Sequence, residues 1–274
     1  MEEAFINFRG INIYTKTIGS GEPLVFLHGG PGGDHRYFLP HLEDLANHFQ
    51  LVFYDQAGCG KSGPLPDESY SMDTEVELLE ELRKSLGFHK LNLIGESWGS
   101  MLSLLYASKY PTHVGKIFMT AAVGATKDAY LQFGKEIERR LTDEEKQLLN
   151  ELSTKLSKGE VEVSEIFNII DPFYVFSRET LGKRTPTNSN AAVNRIIGQD
   201  IIENYDVSKY AHVLKEIPIL VAQGEHDLIT PSMLEDTLVS YIPHIQVKGI
   251  KECGHWSVVE KPGELMSLVK EFLQ

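Results

Sequence analysis

Apolar and polar positions along the chain follow two periods in turn. Phe5 to Phe8 and Ile11 to Thr15 alternate about Arg9-Gly10, which predicts an antiparallel hairpin of edge strands. Leu24-Val25-Phe26-Leu27, Gln50 to Tyr54, Leu91 to Ile94, Val114 to Met119 and Pro218 to Ala222 are short apolar runs of the kind buried on both faces of a parallel sheet, and Ile245 to Val247 is a further strand. Between them the period lengthens. Tyr37 to His48, Met72 to Leu86, Met101 to Tyr110, Ser232 to Tyr241 and Glu264 to Phe272 read as helices. In Met72 to Leu86 the spacing turns Val76, Leu78, Leu79, Leu82 and Leu86 inward and the acidic residues outward. Strands alternating with helices in this way predict an α/β fold with a mostly parallel sheet and helices on both faces.

From Ala125 to Val213 the strand signal disappears and helix follows helix, with Tyr130 to Leu141, Glu144 to Leu156 and Val163 to Ile170 the clearest. Pro172, Pro186 and Gly198 punctuate this block, and Phe133, Phe167, Phe173, Tyr174 and Phe176 are expected mainly to form its own core, with some of them lining a pocket. The organisation implied is one α/β domain, residues 1–124 and 214–274, interrupted by a helical cap over residues 125–213. The chain of 274 residues carries a net charge of -13, which opposes encounters with nucleic acid and anionic membranes. Met1-Glu2-Glu3-Ala4 lacks a secretory pattern and no apolar run approaches membrane-spanning length, so the expected location is cytoplasmic. Two cysteines, Cys59 and Cys253, make no disulfide framework, and no cluster has the spacing of metal ligands, so neither metal nor other cofactor is expected.

The chemistry is concentrated where Leu91 to Ile94 breaks into Gly95-Glu96-Ser97-Trp98-Gly99. A strand, a sharp turn and a helix would expose the Ser97 hydroxyl beside a helix N-terminus. A serine hydroxyl needs a base within hydrogen-bond reach and an acid to orient that base. Asp227, in Gln223-Gly224-Glu225-His226-Asp227, and His255, in Cys253-Gly254-His255-Trp256, each follow a strand at the same sheet edge. His28 more readily braces the Gly-rich loop it precedes, His226 reads as a loop residue, and Glu96 and Glu225 are structural by default.

Four motifs in order, HGGPGG, DQAGCGKS, GESWGS and the GEHD/CGHW pair, resemble the α/β-hydrolase family over nearly the whole chain. More narrowly, His28-Gly29-Gly30-Pro31-Gly32 with Asp55-Gln56 and Ser97-Trp98-Gly99 is similar to the prolyl aminopeptidase (proline iminopeptidase) branch. The resemblance implies that Ser97 attacks a carbonyl, His255 shuttles the proton and Asp227 holds the imidazole tautomer. It further implies that the N–H groups of Gly30 and Trp98 hold the oxyanion, and that the loop of Asp55, Lys61 and Ser62 shapes the pocket wall.

The implied activity is release of N-terminal proline or small apolar residues from short peptides through an acyl-enzyme. The chain departs from that branch at Ala57, where arginine is common, at Leu228, where some members carry glutamate, and at Asn190 to Arg195, which lacks an anchoring glutamate. Glu138, Asp200 and Glu203 are the other acids considered for that role, each read as a solvated surface residue. A carboxylesterase or amidase with an apolar acyl pocket is the alternative reading. A non-catalytic receptor on the same fold is a third, which the presence of Ser97, Asp227 and His255 disfavours.

Overall fold

A run of consecutive apolar residues is stable as a strand only when both of its faces are covered. The computed structural model describes residues 1–274, the side chain of Ser157 excepted, and supplies that cover. Strands β1 (Glu2–Phe8), β2 (Ile11–Ile18), β3 (Pro23–Leu27), β4 (Gln50–Tyr54), β5 (Leu91–Glu96), β6 (Val114–Thr120), β7 (Ile219–Gly224) and β8 (Gln246–Ile250) form one sheet in the order β1-β2-β4-β3-β5-β6-β7-β8. The pairings of β2 with β1 and β4 are antiparallel, and the remaining pairings are parallel.

The two-residue period of a strand divides the core. Val25 and Leu27 pack on one face with Val76, Leu79 and Leu82 of α1 (Met72–Ser85) and with Met101 and Leu104 of α2 (Trp98–Lys109). Leu24 and Phe26 pack on the other, where Phe26 stacks on Phe53 at 4.4 Å between ring centres.

After β6 come α3 (Lys127–Arg140), α4 (Asp143–Ser157), α5 (Val163–Ile170), α6 (Ala191–Asn204) and the short α7 (Ala211–Leu214). Helices α8 (Pro231–Leu234), α9 (Ser257–Glu260) and α10 (Pro262–Leu273) belong to the returning α/β rhythm. The two ends of the helical block meet. Thr126 bridges Asp206, the Lys127 N–H donates to Tyr205 O at 2.8 Å, and the Val207 N–H donates to Ala125 O at 2.9 Å.

Several elements differ from the sequence expectation. Strand β2 is no edge, because β4 pairs along its other side and buries Ile13, Tyr14 and Thr15. Tyr37 to His48 is not one helix but two 3-10 turns, His35–Phe38 and Glu43–Asn47. Pro40 lies between them, and proline both lacks the N–H that a helix interior needs and disfavours helical backbone at the residue before it. Gly198 does not punctuate but lies inside α6, whose Val193, Ile197 and Ile201 recur at four-residue spacing on its buried face. The predicted helix over Ser232 to Tyr241 begins as α8 and loosens into a π turn over Glu235–Val239.

The acidic face of α1 also departs from expectation, because Glu75 and Glu80 are buried. Glu80 has partners. Burial alone would raise its pKa, but Arg83 at 2.8 Å, the Tyr106 hydroxyl at 2.8 Å and His113 at 3.1 Å outweigh that effect and hold it at about 2. Glu75 has none: neither carboxyl oxygen finds a hydrogen-bond partner, and burial pushes its pKa up to about 8 despite the opposing pull of the Ala57 backbone.

A carboxyl whose pKa rises on folding binds a proton more tightly in the native state, so its contribution is fully present below its ordinary value of 4.5 and is lost as pH climbs toward about 8. Glu75→Gln keeps the neutral shape and removes the titration. Urea unfolding from pH 5 to 8 should show the wild type losing stability relative to Glu75→Gln, by about 3 kcal/mol at pH 7. Parallel curves for the two proteins would refute the assignment.

Candidate active site

Ser97 projects from the turn between β5 and α2 with φ 51° and ψ -116°, a left-handed backbone that a non-glycine residue adopts only when its surroundings impose it. The surroundings here are crowded. A Cβ on Gly95 would lie 2.4 Å from Gly99 O, and one on Gly99 would lie 1.9 Å from Leu27 O, so both flanking positions require glycine. The turn is pinned by the Ser97 N–H donating to Thr120 O at 3.2 Å and the Ser100 N–H donating to Ser97 O at 2.9 Å.

The loops after β7 and β8 bring Asp227 and His255 to this serine. His255 Nε2 is 3.0 Å from Ser97 Oγ, and its Nδ1 is 2.9 Å from Asp227 Oδ1. An N–H on Nδ1 donating to the carboxylate leaves Nε2 free to accept from the hydroxyl. Asp227 is fully buried, and its other oxygen accepts from Gln223 Nε2 at 2.8 Å, so the carboxylate cannot rotate without losing partners. Burial draws the His255 imidazole toward its neutral form. The charge and hydrogen bond of Asp227, helped by Glu96, outweigh that and hold its pKa above the ordinary histidine value.

The helical block closes around these groups. Phe133 and Tyr174 lie 4.9 and 5.2 Å from the His255 ring centre, Tyr174 O accepts the His255 N–H at 2.7 Å, and Arg140 donates to Asp227 O at 2.9 Å.

Gly30 and Trp98, the two expected oxyanion donors, both line the cavity at Ser97, and neither N–H has an acceptor among the described residues. His28 braces this loop: its Nδ1 meets Gly29 O at 3.0 Å and its Nε2 accepts the Gln56 N–H at 3.1 Å. Burial keeps that imidazole's pKa below its ordinary value, and an imidazole that both donates and accepts is neutral. Gln56 then ties three loops together, donating to His28 O at 3.0 Å and accepting from Trp98 Nε1 at 2.9 Å. In the sequence Gln56 stands out only as part of the DQAGCGKS motif, since nothing in its spacing reveals a cross-loop bond.

The cavity above Ser97 has a volume of about 1010 Å³. Its lining from α3 and α5 is largely apolar, with Leu131, Ile137, Ile166, Phe167 and Ile170 beside the polar Ser164 and Asn168. The loop of Asp55, Lys61 and Ser62 does not form its wall. Asp55 instead binds His35 at 2.7 Å and the Lys61 N–H at 2.8 Å, and Ser62 Oγ accepts the Tyr14 N–H at 2.9 Å, which directs the loop toward the hairpin.

Of the two roles expected for the aromatic residues, lining the pocket outweighs forming a core. Of the five named in the block, none is fully buried; Phe133, Phe167 and Tyr174 face the cavity, while Phe176 is exposed against His226. Glu138 and Glu203 are exposed, and Asp200 accepts the Met72 N–H at 2.8 Å. Glu225 is exposed and Leu228 buried, both outside the cavity, whereas Glu96 is buried and lines it.

Folding gathers one set of metal-type donors that linear spacing does not reveal, Asp34, His35 and Asp55. Their atoms are already engaged: Asp55 with His35, and Asp34 with Arg36 at 2.9 and 2.6 Å and with the Asn188 N–H at 2.9 Å. Cys59 and Cys253 are buried free thiols. No helix among the described residues is long and apolar enough to cross a membrane.

Comparison with known proteins agrees with this architecture. A proline iminopeptidase of Saccharolobus solfataricus is 30% identical over 298 aligned positions, covering 100% of this chain and 92% of the relative. An alpha/beta fold family hydrolase from Bacillus anthracis superposes with a TM-score of 0.81 at 20% identity, over 99% of both chains. A proline iminopeptidase from Mycobacterium smegmatis superposes with a TM-score of 0.72 at 20% identity, over 99% of this chain and 97% of the other. A family profile described as alpha/beta hydrolase fold matches residues 22–262, and with that match the chain belongs to the α/β-hydrolase family.

Proposed function

We propose that this hydrolase is a serine enzyme of the proline iminopeptidase kind, releasing N-terminal proline or small apolar residues from short peptides. The observation that carries the reading is the continuous chain of contacts from Asp227 through His255 to Ser97, with 2.9 and 3.0 Å links. In this mechanism the Ser97 Oγ–H proton passes to His255 Nε2 as Oγ bonds to the substrate carbonyl carbon. The oxyanion that forms accepts from the free N–H groups of Gly30 and Trp98, each contributing roughly 3 kcal/mol to the transition state. Collapse breaks the carbon–nitrogen bond, and the imidazolium proton goes to the departing amine. A water then repeats the sequence on the acyl-enzyme, giving the free amino acid and restoring Ser97.

Residues 125–213 serve in this reading as a cap that sets which carbonyl arrives. A second reading has its own support, because the apolar walls of α3 and α5 suit the acyl chain of a carboxylesterase substrate. Prolyl-β-naphthylamide and p-nitrophenyl acetate separate the two. Turnover of the ester with none of the amide would displace the aminopeptidase reading.

Two outcomes test the machinery. A fluorophosphonate probe should label the protein at Ser97, and Ser97→Ala should abolish labelling and lower kcat at least about 10⁴-fold; labelling that persists would identify another nucleophile. Since His255 must be neutral to accept a proton and its pKa is raised, kcat/KM should fall on the acid side through an apparent pKa above 6.5. An acid limb lying below that value would contradict the environment described for His255.

A further inference from the structure

Apart from Glu96, the acidic and basic side chains along the cavity are already paired. Asp34 is held by Arg36 and the Asn188 N–H, Asp171 pairs with Arg184 at 2.8 Å, Arg195 reaches outward to within 3.7 Å of Glu68, and His255 is bound to Asp227. Glu96 is different. It is 5% exposed, it lines the cavity, and among the described residues no side chain hydrogen-bonds or pairs with its carboxyl, which has only the Gly29 backbone against it. A buried carboxyl without a charged partner is costly, and a cation is the partner that best offsets the cost.

Its position is as specific as its lack of a charged partner. Glu96 immediately precedes Ser97 at the end of β5, and its side chain lies against Gly29, the residue before the oxyanion donor Gly30. A Cβ on Gly29 would overlap the Glu96 carboxyl, so glycine there makes room for it. Tyr37 lines the same cavity with a buried hydroxyl that has no hydrogen-bond partner, and the charge of Glu96 acts on it.

We propose that Glu96 is the anchor for the ammonium group of the substrate, a specificity residue on the nucleophile turn itself rather than on the helical block. The proposal rests on the aminopeptidase reading. In such a substrate the α-nitrogen is two bonds from the attacked carbonyl carbon, so its charge must come to rest close to Ser97. Glu96 is the free acid there.

Burial holds the carboxyl at about 7 against the weaker effects of His255 and the Gly29 backbone, and an arriving ammonium supplies the counter-charge that ionises it. Arg184, a competing cation of the wall, is paired with Asp171.

The test measures binding without turnover. Ser97→Ala protein is titrated at pH 7 with prolyl-β-naphthylamide and with its carbocyclic isostere, cyclopentanecarbonyl-β-naphthylamide, following naphthylamide fluorescence anisotropy. The prolyl compound should bind at least tenfold more tightly, and adding Glu96→Gln should bring the two within twofold by weakening the prolyl compound alone. Retained binding of the carbocycle shows that the variant is folded; Glu96→Leu, an apolar replacement for a buried site, takes its place if Glu96→Gln is not.

A preference that survives loss of Glu96, or that is absent with Glu96 intact, overturns the proposal. Failure of the aminopeptidase reading appears separately, as wild-type protein that hydrolyses p-nitrophenyl acetate but releases no naphthylamine from the prolyl compound.

Discussion

The site depends on one contact between backbones. Helix α2 approaches β3 so closely at Gly99 that a single methyl group would overlap Leu27 O. That approach sets the angle of the turn holding Ser97, and it fixes the turn against the end of the strand that runs on into His28, Gly29 and Gly30. Ser97 and the Gly30 N–H therefore share a foundation of main chain, which does not change rotamer. Gln56 and His28 add hydrogen bonds to this frame. The frame explains why glycine is needed at positions that carry no chemistry.

What the sequence makes legible follows the range of the forces involved. Runs such as Leu24 to Leu27 and Leu91 to Ile94 identify themselves because burial on both faces needs consecutive apolar residues. The order of Ser97, Asp227 and His255 is legible because a parallel sheet delivers every strand's following loop to one edge. By contrast, the placement of β2 between β1 and β4 is a pairing decision that local alternation does not encode. The outward acids expected on α1 fail at Glu80 for a similar reason, since Arg83 is near in sequence but Tyr106 and His113 are brought by other elements.

The cavity was the least legible part. Phe133 and Tyr174 look like core residues in a pattern of apolar positions, yet they contact the His255 ring. Glu96 looks like an ordinary flank of Ser97, and only the folded arrangement shows that no side chain pairs with it. The loop of Asp55, Lys61 and Ser62 shows the reverse case. The family resemblance implies a pocket wall there, and the loop's hydrogen bonds instead tie the N-terminal hairpin to the sheet.

The meeting of Thr126 with Asp206 has a consequence for how such a protein can diversify. A segment whose two ends are hydrogen-bonded neighbours can be exchanged for another of different length with little disturbance to the sheet beneath. Yet Phe133, Arg140 and Tyr174 belong to the exchanged piece and touch the imidazole or its acid. A transplanted segment would bring its own lining for the cavity and its own contacts to His255 and Asp227, so the two would be inherited together.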